Sequence, residues 1–267
     1  MLRAASSKQK LSRSKIELFT ECPRCFWLDV KKGVKRPSFP PYTINNAVDY
    51  LLKQEFDVYR EKGKPHPIMV ANDVDAIPFM HKDLDKWRHN FTGVQYEHEP
   101  SGFLVTGAVD DVWVNPHTSR GVGASPYGLL HVVDYKATGA MKHQIYDSYR
   151  RQMEIYQWLL RQNGFDVSPV GYFVFAKVSK ASGFSANGDL SSDLSTEGLP
   201  KAEALAKEEG EYMARLPFDL FVEPLEGDDA WVPGTLTEAR RVYELESAPA
   251  AGDACEYCRY RGEAGRT

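Results

Sequence analysis

The four cysteines of the chain stand in two C-x-x-C pairs, one near each end. Cys22 and Cys25 lie in "ECPRCFWL", and Cys255 and Cys258 lie in "CEYCRYR". Four thiolates can form a tetrahedral zinc site or hold a [4Fe–4S] cluster. Because Cys25 and Cys255 are 230 positions apart, a shared metal requires a fold that brings the two ends of the chain together. In an intracellular protein this pattern favours metal binding over disulfides.

Length and composition indicate a single large core. The chain has 267 residues, of which 42% are hydrophobic. We expect one domain over 1–267, with an N-terminal helical part at 12–62, a catalytic core at 94–178 and a C-terminal cysteine segment at 250–267. The sequence has no apolar run long enough to span a membrane, and its N-terminus lacks the apolar stretch of a secretory signal. We therefore expect a cytoplasmic protein without a membrane partner.

Charge is unevenly distributed along the chain. The net charge is −4, but residues 1–36 carry ten Lys or Arg against three acids. A basic N-terminal segment on an acidic body could contact nucleic-acid phosphates, or it could simply be a solvated face.

The order of periodic segments predicts an α/β fold with a central mixed sheet flanked by helices. Helical spacing over 44–63 places Ile44, Val48, Leu52, Phe56 and Tyr59 on one stripe. Alternating or continuous apolar patterns predict strands at 94–100, 103–115, 129–138 and 170–178. A long helix is predicted over 141–164, and a loop at 179–198, a charged helix near 200–214 and a strand around 216–223 complete the pattern.

The strand "LLHVVDYKAT" (129–138) is apolar until it presents an acid and a base at its end. Alternation along a strand puts Asp134 and Lys136 on one face and Tyr135 on the other. By itself this pattern also fits a structural ion pair at a strand end.

A second acid, Asp110, precedes the loop that leads into this strand. If the two strands form a simple hairpin, Asp110 and Asp134 lie opposite each other, where like charges destabilise the pair. A divalent cation would remove that repulsion, and two carboxylates with a backbone carbonyl suit Mg²⁺ or Mn²⁺. Asp111, which points to the opposite face, is the alternative to Asp110.

Three motifs in order resemble the PD-(D/E)XK nuclease superfamily, and most closely its RecB-like branch of AddAB and CRISPR-adaptation exonucleases. They are Gly107 to Asp110, then Asp134-Tyr135-Lys136, then Gln152 with Tyr156 at i and i+4 on one helix. The resemblance covers roughly residues 12–178 and returns at the C-terminal cysteines. It implies a restriction-endonuclease-like core and a metal-dependent DNA nuclease, with an exonuclease activity and a preference for single strands as further implications.

The resemblance also implies roles for these residues. Asp110, Asp134 and the Tyr135 carbonyl would ligate Mg²⁺ or Mn²⁺, and Lys136 would act on the water and the phosphate. Gln152 and Tyr156 would contact the DNA backbone or brace the site.

The sequence departs from the branch at two points. A histidine ligand common in the early helix is absent, and Asp49 stands nearest its place, with Glu55 as a weaker candidate; Asp49 could equally be a surface residue. The branch usually has one cysteine before its core and three after it, whereas this chain has two and two. The resemblance implies a [4Fe–4S] cluster on Cys22, Cys25, Cys255 and Cys258, which is the first expectation. The two-and-two division of the cysteines leaves zinc as the alternative.

The expected partner is DNA, as single strands or duplex ends. The chain has no G-x-x-x-x-G-K-[ST] loop, so a helicase or another repair or defence protein would have to supply any motor activity. Three other functions remain open: a non-catalytic DNA-binding scaffold, an iron–sulfur redox protein, and a metal-dependent enzyme acting on a small phosphorylated substrate.

Overall fold

The computed structural model describes residues 8–38, 40, 42–118, 126–140, 142, 144–180 and 216–266. Eight strands lie in these residues: β1 (Lys10–Ser12), β2 (Ile77–Pro78), β3 (Val94–His98), β4 (Phe103–Gly107), β5 (Asp111–Asn115), β6 (Leu129–Thr138), β7 (Val170–Val178) and β8 (Phe218–Glu226). The same residues contain eight helices: α1 (Arg13–Glu21), α2 (Pro23–Lys32), α3 (Thr43–Lys62), α4 (Pro67–Ala71), α5 (Leu84–Arg88), α6 (Asp147–Gln162), α7 (Trp231–Glu244) and α8 (Glu256–Ala264). None of these helices is long and apolar enough to cross a membrane.

The strands form two sheets. The larger is a mixed five-stranded sheet in the order β2-β5-β6-β7-β8, in which β6 and β7 are parallel and the other pairs are antiparallel. The smaller is a three-stranded sheet in the order β1-β4-β3. Helix α6 connects β6 to β7, as a parallel pair requires. The predicted α/β fold with a central mixed sheet is therefore confirmed.

Alternate residues of β6 face two separate apolar cores. Leu130 and Val132 pack in the core on the side of α1, α6 and α7. Val133 and Tyr135 pack in the other core, with Val48, Leu52 and Phe56 of α3. The large sheet is therefore covered on both faces.

Several predicted elements are confirmed. Strands β6 and β7 have the predicted bounds, and α3 ends at Gly63, whose φ of +59° is the left-handed conformation that favours glycine. The break at Pro23 separates α1 from α2, with Cys22 between them. The predicted loop at 179–198 lies almost wholly, and the predicted helix near 200–214 wholly, outside the described residues.

Other predictions are wrong in detail. The segment 103–115 is not one strand, because the chain leaves the small sheet after Gly107 and joins the large one at Asp111. Helix α6 begins only at Asp147, after an extended Tyr146. On α3, Ile44 is 57% exposed instead of buried, since the first turn of the helix extends beyond the sheet.

Gly107 stands where α6 crosses the small sheet most closely. A Cβ atom at this position would lie 2.7 Å from the Tyr156 ring and 2.9 Å from a Leu159 methyl group. Both side chains are buried, so neither can move away freely. The glycine of the first motif is therefore required by helix packing.

We expect Gly107→Ala to lower the free energy of unfolding by about 1–3 kcal/mol, because it overpacks this crossing. Gly234→Ala is the matched control: it lies in α7, where an added Cβ meets nothing within 4 Å, and alanine favours the helix by up to about 1 kcal/mol. Urea unfolding of both variants checks this. Equal stability of Gly107→Ala and the wild type would show that α6 can retreat from the strand.

Candidate active site

The pairing of β5 with β6 brings the two predicted acids together. The register aligns Asp111 with Val133 and Val112 with Val132, which continues to Asp110 opposite Asp134. This is the hairpin register that the sequence predicts. The Tyr135 backbone N–H donates to Asp110 Oδ2 at 3.0 Å, so Asp110 lies beside the peptide that joins Asp134 to Tyr135.

Asp134 is fully buried and held from two sides. Gln152 Nε2 donates to its Oδ1 at 2.6 Å, and the Lys136 ammonium forms an ion pair with its Oδ2. Burial raises the pKa of Asp134 to about 7; the nearby Lys136 opposes this shift, and Asp110 adds to it. The effect of Asp110 on the pKa shows that the two carboxylates are near enough to repel each other.

Lys136 lies on the same face as Asp134, as predicted. Burial lowers the pKa of this lysine, but Asp134 and Asp110 more than compensate, so the net shift is upward. Its Nζ lies 4.7 Å from the centre of the Tyr149 ring, in a cation–π contact with α6. Lys136 is therefore a charged ammonium held at the mouth of the acidic site.

Helix α3 supplies a third acid and a second lysine. Lys53 Nζ lies 2.7 Å from Asp49 Oδ2 and 3.1 Å from Asp110 Oδ1. Burial raises the pKa of Asp49, and the charge of Asp110 adds to this effect. Glu55 instead contacts His66 Nε2 at 2.8 Å. Of the two acids considered on this helix, the structure therefore brings only Asp49 to the site.

Asp111 belongs to a buried ion network on the opposite face of the sheet. It has no exposed area and accepts from the Tyr135 hydroxyl at 2.7 Å and from Arg88 Nη2 at 3.0 Å. Arg60 contacts the same carboxylate, and Arg88 Nε also donates to the Asp110 carbonyl at 3.0 Å. Asp111 is thus a structural residue that positions Asp110, and it is not an alternative to it.

Gln152 and Tyr156 line the inner wall of the site on α6. Besides binding Asp134, Gln152 Nε2 donates to the Tyr156 hydroxyl at 3.2 Å. Both side chains are buried, so of the two predicted roles the bracing contacts are the ones present. The Tyr156 ring in turn rests on Gly107, which links the three sequence motifs in space.

Sequence reasoning found Lys136 but missed Lys53 at the site and the two arginines on the opposite face of the sheet. Lys53 stands four positions after Asp49, a helical spacing that could have revealed it. Arg60 and Arg88 could not be found from spacing, because they reach Asp111 from two separate helices.

The four cysteines meet as predicted. The Sγ–Sγ distance is 3.8 Å between Cys22 and Cys258, 3.7 Å between Cys25 and Cys255 and 3.6 Å between Cys25 and Cys258. All four sulfurs lie within 4.8 Å of one another. Among the described residues, this is the only group of three or more Cys, His, Asp or Glu side chains spaced so closely.

The surroundings of the sulfurs favour thiolates at some positions and oppose them at others. At Cys22, burial opposes ionisation, but backbone N–H groups of Gly252 and Cys25 lower the pKa to about 6. Burial raises the pKa of Cys258 to about 12. Arg36 Nη2 donates to Cys255 Sγ at 3.4 Å. A bound cation would stabilise the remaining thiolates, since metal ligation and deprotonation are coupled.

Two acids and a lysine thus lie together on interior strands of the mixed sheet: Asp110 just before β5, and Asp134 and Lys136 on β6. A family model of the PD-(D/E)XK nuclease superfamily matches residues 43–262. The chain therefore belongs to the PD-(D/E)XK nuclease superfamily. No curated protein matches the chain.

The neighbours Asp110 and Asp111 provide a matched pair of variants. We expect Asp111→Asn to lower the free energy of unfolding by about 3 kcal/mol, because it leaves Arg60 and Arg88 with only the half-exposed Asp57 as a counter-charge. Asp110→Asn changes a side chain that is 23% exposed and should cost less than about 1 kcal/mol. Chemical denaturation of both variants tests this, and a larger loss for Asp110→Asn would reverse the two roles.

Proposed function

We propose that the protein is a metal-dependent nuclease that hydrolyses DNA phosphodiester bonds. The observation that carries the proposal is the convergence of Asp110, Asp134 and Lys136 where β5 begins beside β6, with a buried glutamine holding Asp134. A degenerate member of the superfamily that served only as a scaffold would have no need to retain all three side chains.

The acidic residues fit a hard divalent cation such as Mg²⁺ or Mn²⁺. The donors available are carboxylate oxygens of Asp110 and Asp134 with the Tyr135 carbonyl, and Asp49 is a further candidate. Among the described residues, nothing donates a hydrogen bond to the buried Asp49 Oδ1, whereas Asp134 Oδ2 is paired with the Lys136 ammonium. A buried carboxylate oxygen without a hydrogen bond is costly, so Asp49 Oδ1 supports cation binding. When bound, the cation would supply an activated water and neutralise charge on the phosphate.

The protein's own side chains would position the water and the metal ligands and stabilise charge on the phosphate. Lys136, placed at the mouth of the site, would stabilise the charge that develops on the attacked phosphate and orient the water. Gln152 would keep one oxygen of Asp134 fixed, while the other, which is paired with Lys136, would be shared with the cation. Tyr156 would hold Gln152 in turn, so the bracing acts through Asp134 and not on the substrate.

We also propose the mode of cleavage and the partner. The RecB-like motifs support exonuclease activity on single strands or duplex ends, and DNA is the proposed partner. A separate helicase or another repair or defence protein would deliver the ends. The scaffold function is the second candidate, since the site is compatible with DNA binding without cleavage.

Cleavage of end-labelled single- and double-stranded DNA in Mn²⁺ or Mg²⁺ tests the nuclease activity. We expect Lys136→Ala to reduce the rate at least about 100-fold, as for loss of a charge that stabilises a transition state. Lys64→Ala, which removes an exposed lysine after α3, should retain full activity, and thermal melts verify that both variants are folded. DNA binding without cleavage by the wild type would favour the scaffold, and equal cleavage by wild type and Lys136→Ala would refute the role of Lys136.

For the cysteine site, the sulfur spacing favours one zinc ion over the [4Fe–4S] cluster that the resemblance suggests. Four thiolates on one zinc with Zn–S bonds of about 2.3 Å lie about 3.8 Å apart at the edges of a tetrahedron. The three measured Sγ–Sγ distances of 3.6 to 3.8 Å match this value. In a cluster each thiolate binds a different iron atom, so the four sulfurs would have to lie farther apart.

Metal analysis of protein purified without oxygen distinguishes the two. We expect about one zinc per chain and no visible charge-transfer absorption, and Cys255→Ser should lose the zinc and melt at a lower temperature because the end of the chain is released. About four irons per chain with a broad visible absorption band would instead establish the cluster. Ser38→Ala, an exposed substitution outside the cysteine site, controls for nonspecific loss of metal.

A further inference from the structure

Arg13, the first residue of α1, is half-buried. Other basic side chains of the N-terminal segment are engaged: Lys15 with Asp29 at 2.6 Å, Arg36 with Glu21 at 2.5 Å and Arg24 with the Pro249 carbonyl at 2.8 Å. Among the described residues, no carboxylate or carbonyl oxygen accepts from the Arg13 guanidinium. Its hydrogen-bond donors are therefore available to a ligand.

Strand pairing places Arg13 beside the active site. Ser12, the residue before it, pairs with Thr106 of β4. The next residue of β4 is Gly107, which is in close contact with the Tyr156 ring. The chain therefore enters α1 next to the inner wall of the site.

A second contact fixes the direction of α1. Glu17 stands one turn after Arg13, so the two side chains lie on the same face of the helix. Glu17 binds Arg151 of α6 through two hydrogen bonds of 3.0 and 2.6 Å. Arg151 directly precedes Gln152, the residue that holds Asp134. The face that carries Arg13 is therefore directed toward the site.

The charge of Arg13 also acts on the inner wall of that site. Burial raises the pKa of Tyr156, and the positive charge of Arg13 is the largest opposing influence. This effect agrees with the position that the strand pairing and the α1–α6 contact give to Arg13.

We propose that Arg13 binds the non-bridging oxygens of a substrate phosphate adjacent to the one that is cleaved. This inference rests on the proposed nuclease function and adds a residue that determines how the strand is positioned. A planar guanidinium matches two phosphate oxygens at once, and such a charge-assisted contact is stronger than one between neutral groups. Lys136 contacts the phosphate that is cleaved, and Arg13 binds the neighbouring phosphate.

The experiment measures binding of a 5′-fluorescent single-stranded oligonucleotide in EDTA, followed by cleavage kinetics in Mn²⁺. We expect Arg13→Gln to weaken binding and raise KM about tenfold, as for loss of one charge-assisted contact, with kcat changed less than about threefold. The plot of log K against log salt should become shallower by about 0.7, the value for one phosphate contact on a single strand. Arg13→Lys should recover part of the affinity, because it keeps the charge and loses the two-oxygen contact.

Arg241→Gln is the control, since it removes an exposed arginine of α7. If Arg13→Gln and Arg241→Gln bind with the same affinity and salt slope, or if Arg13→Gln lowers only the melting temperature, the inference is refuted while the nuclease function stands. If the wild type neither binds nor cleaves the oligonucleotide, the proposed function fails and the role of Arg13 fails with it. A tenfold rise in KM for Arg13→Gln, together with a shallower salt dependence of binding, supports both the nuclease function and the role of Arg13.

Discussion

The antiparallel pairing of β5 with β6 is the constraint on which the active site depends. Its register places Asp110 opposite Asp134 and, on the other face, lets the Tyr135 hydroxyl reach Asp111. Because side chains alternate along a strand, a slip by one residue would exchange these faces and bury the wrong acid. The buried ion network on the α3 side therefore protects the register that the acidic site on the α6 side needs.

Two kinds of electrostatic environment result from this alternation. Asp111 is balanced by Arg60 and Arg88 and is closed to solvent. Asp110 and Asp134 instead each pair with a lysine, Asp110 with Lys53 and Asp134 with Lys136, and the Asp110 side chain is 23% exposed. Acids that are neighbours in the sequence thus have opposite surroundings.

The sequence predicted the central elements well, because their patterns are local. Strands β6 and β7, the end of α3 and the opposed acids all follow from alternation, helical spacing and turn residues. The change of sheets after Gly107 could not be predicted, since the apolar alternation of 103–115 continues through it and only the pairing partners differ. The position of Arg13 likewise depends on pairing between residues far apart in sequence, Ser12 with Thr106. The exposure of Ile44 reflects how far α3 extends past the sheet, a property that periodicity does not encode.

Helix α1 runs from the nuclease centre to the cysteines. It begins at Arg13, beside the acidic site, and ends at Glu21, the residue before the first thiol. Nine residues of α-helix make a rigid rod of about 14 Å, anchored at one end by a strand and at the other by four sulfurs. Any metal on those sulfurs closes a ring of more than 200 residues and lowers the entropy of the unfolded chain. Oxidation or metal loss at the cysteines would therefore loosen the end of α1 that lies farthest from the acidic site.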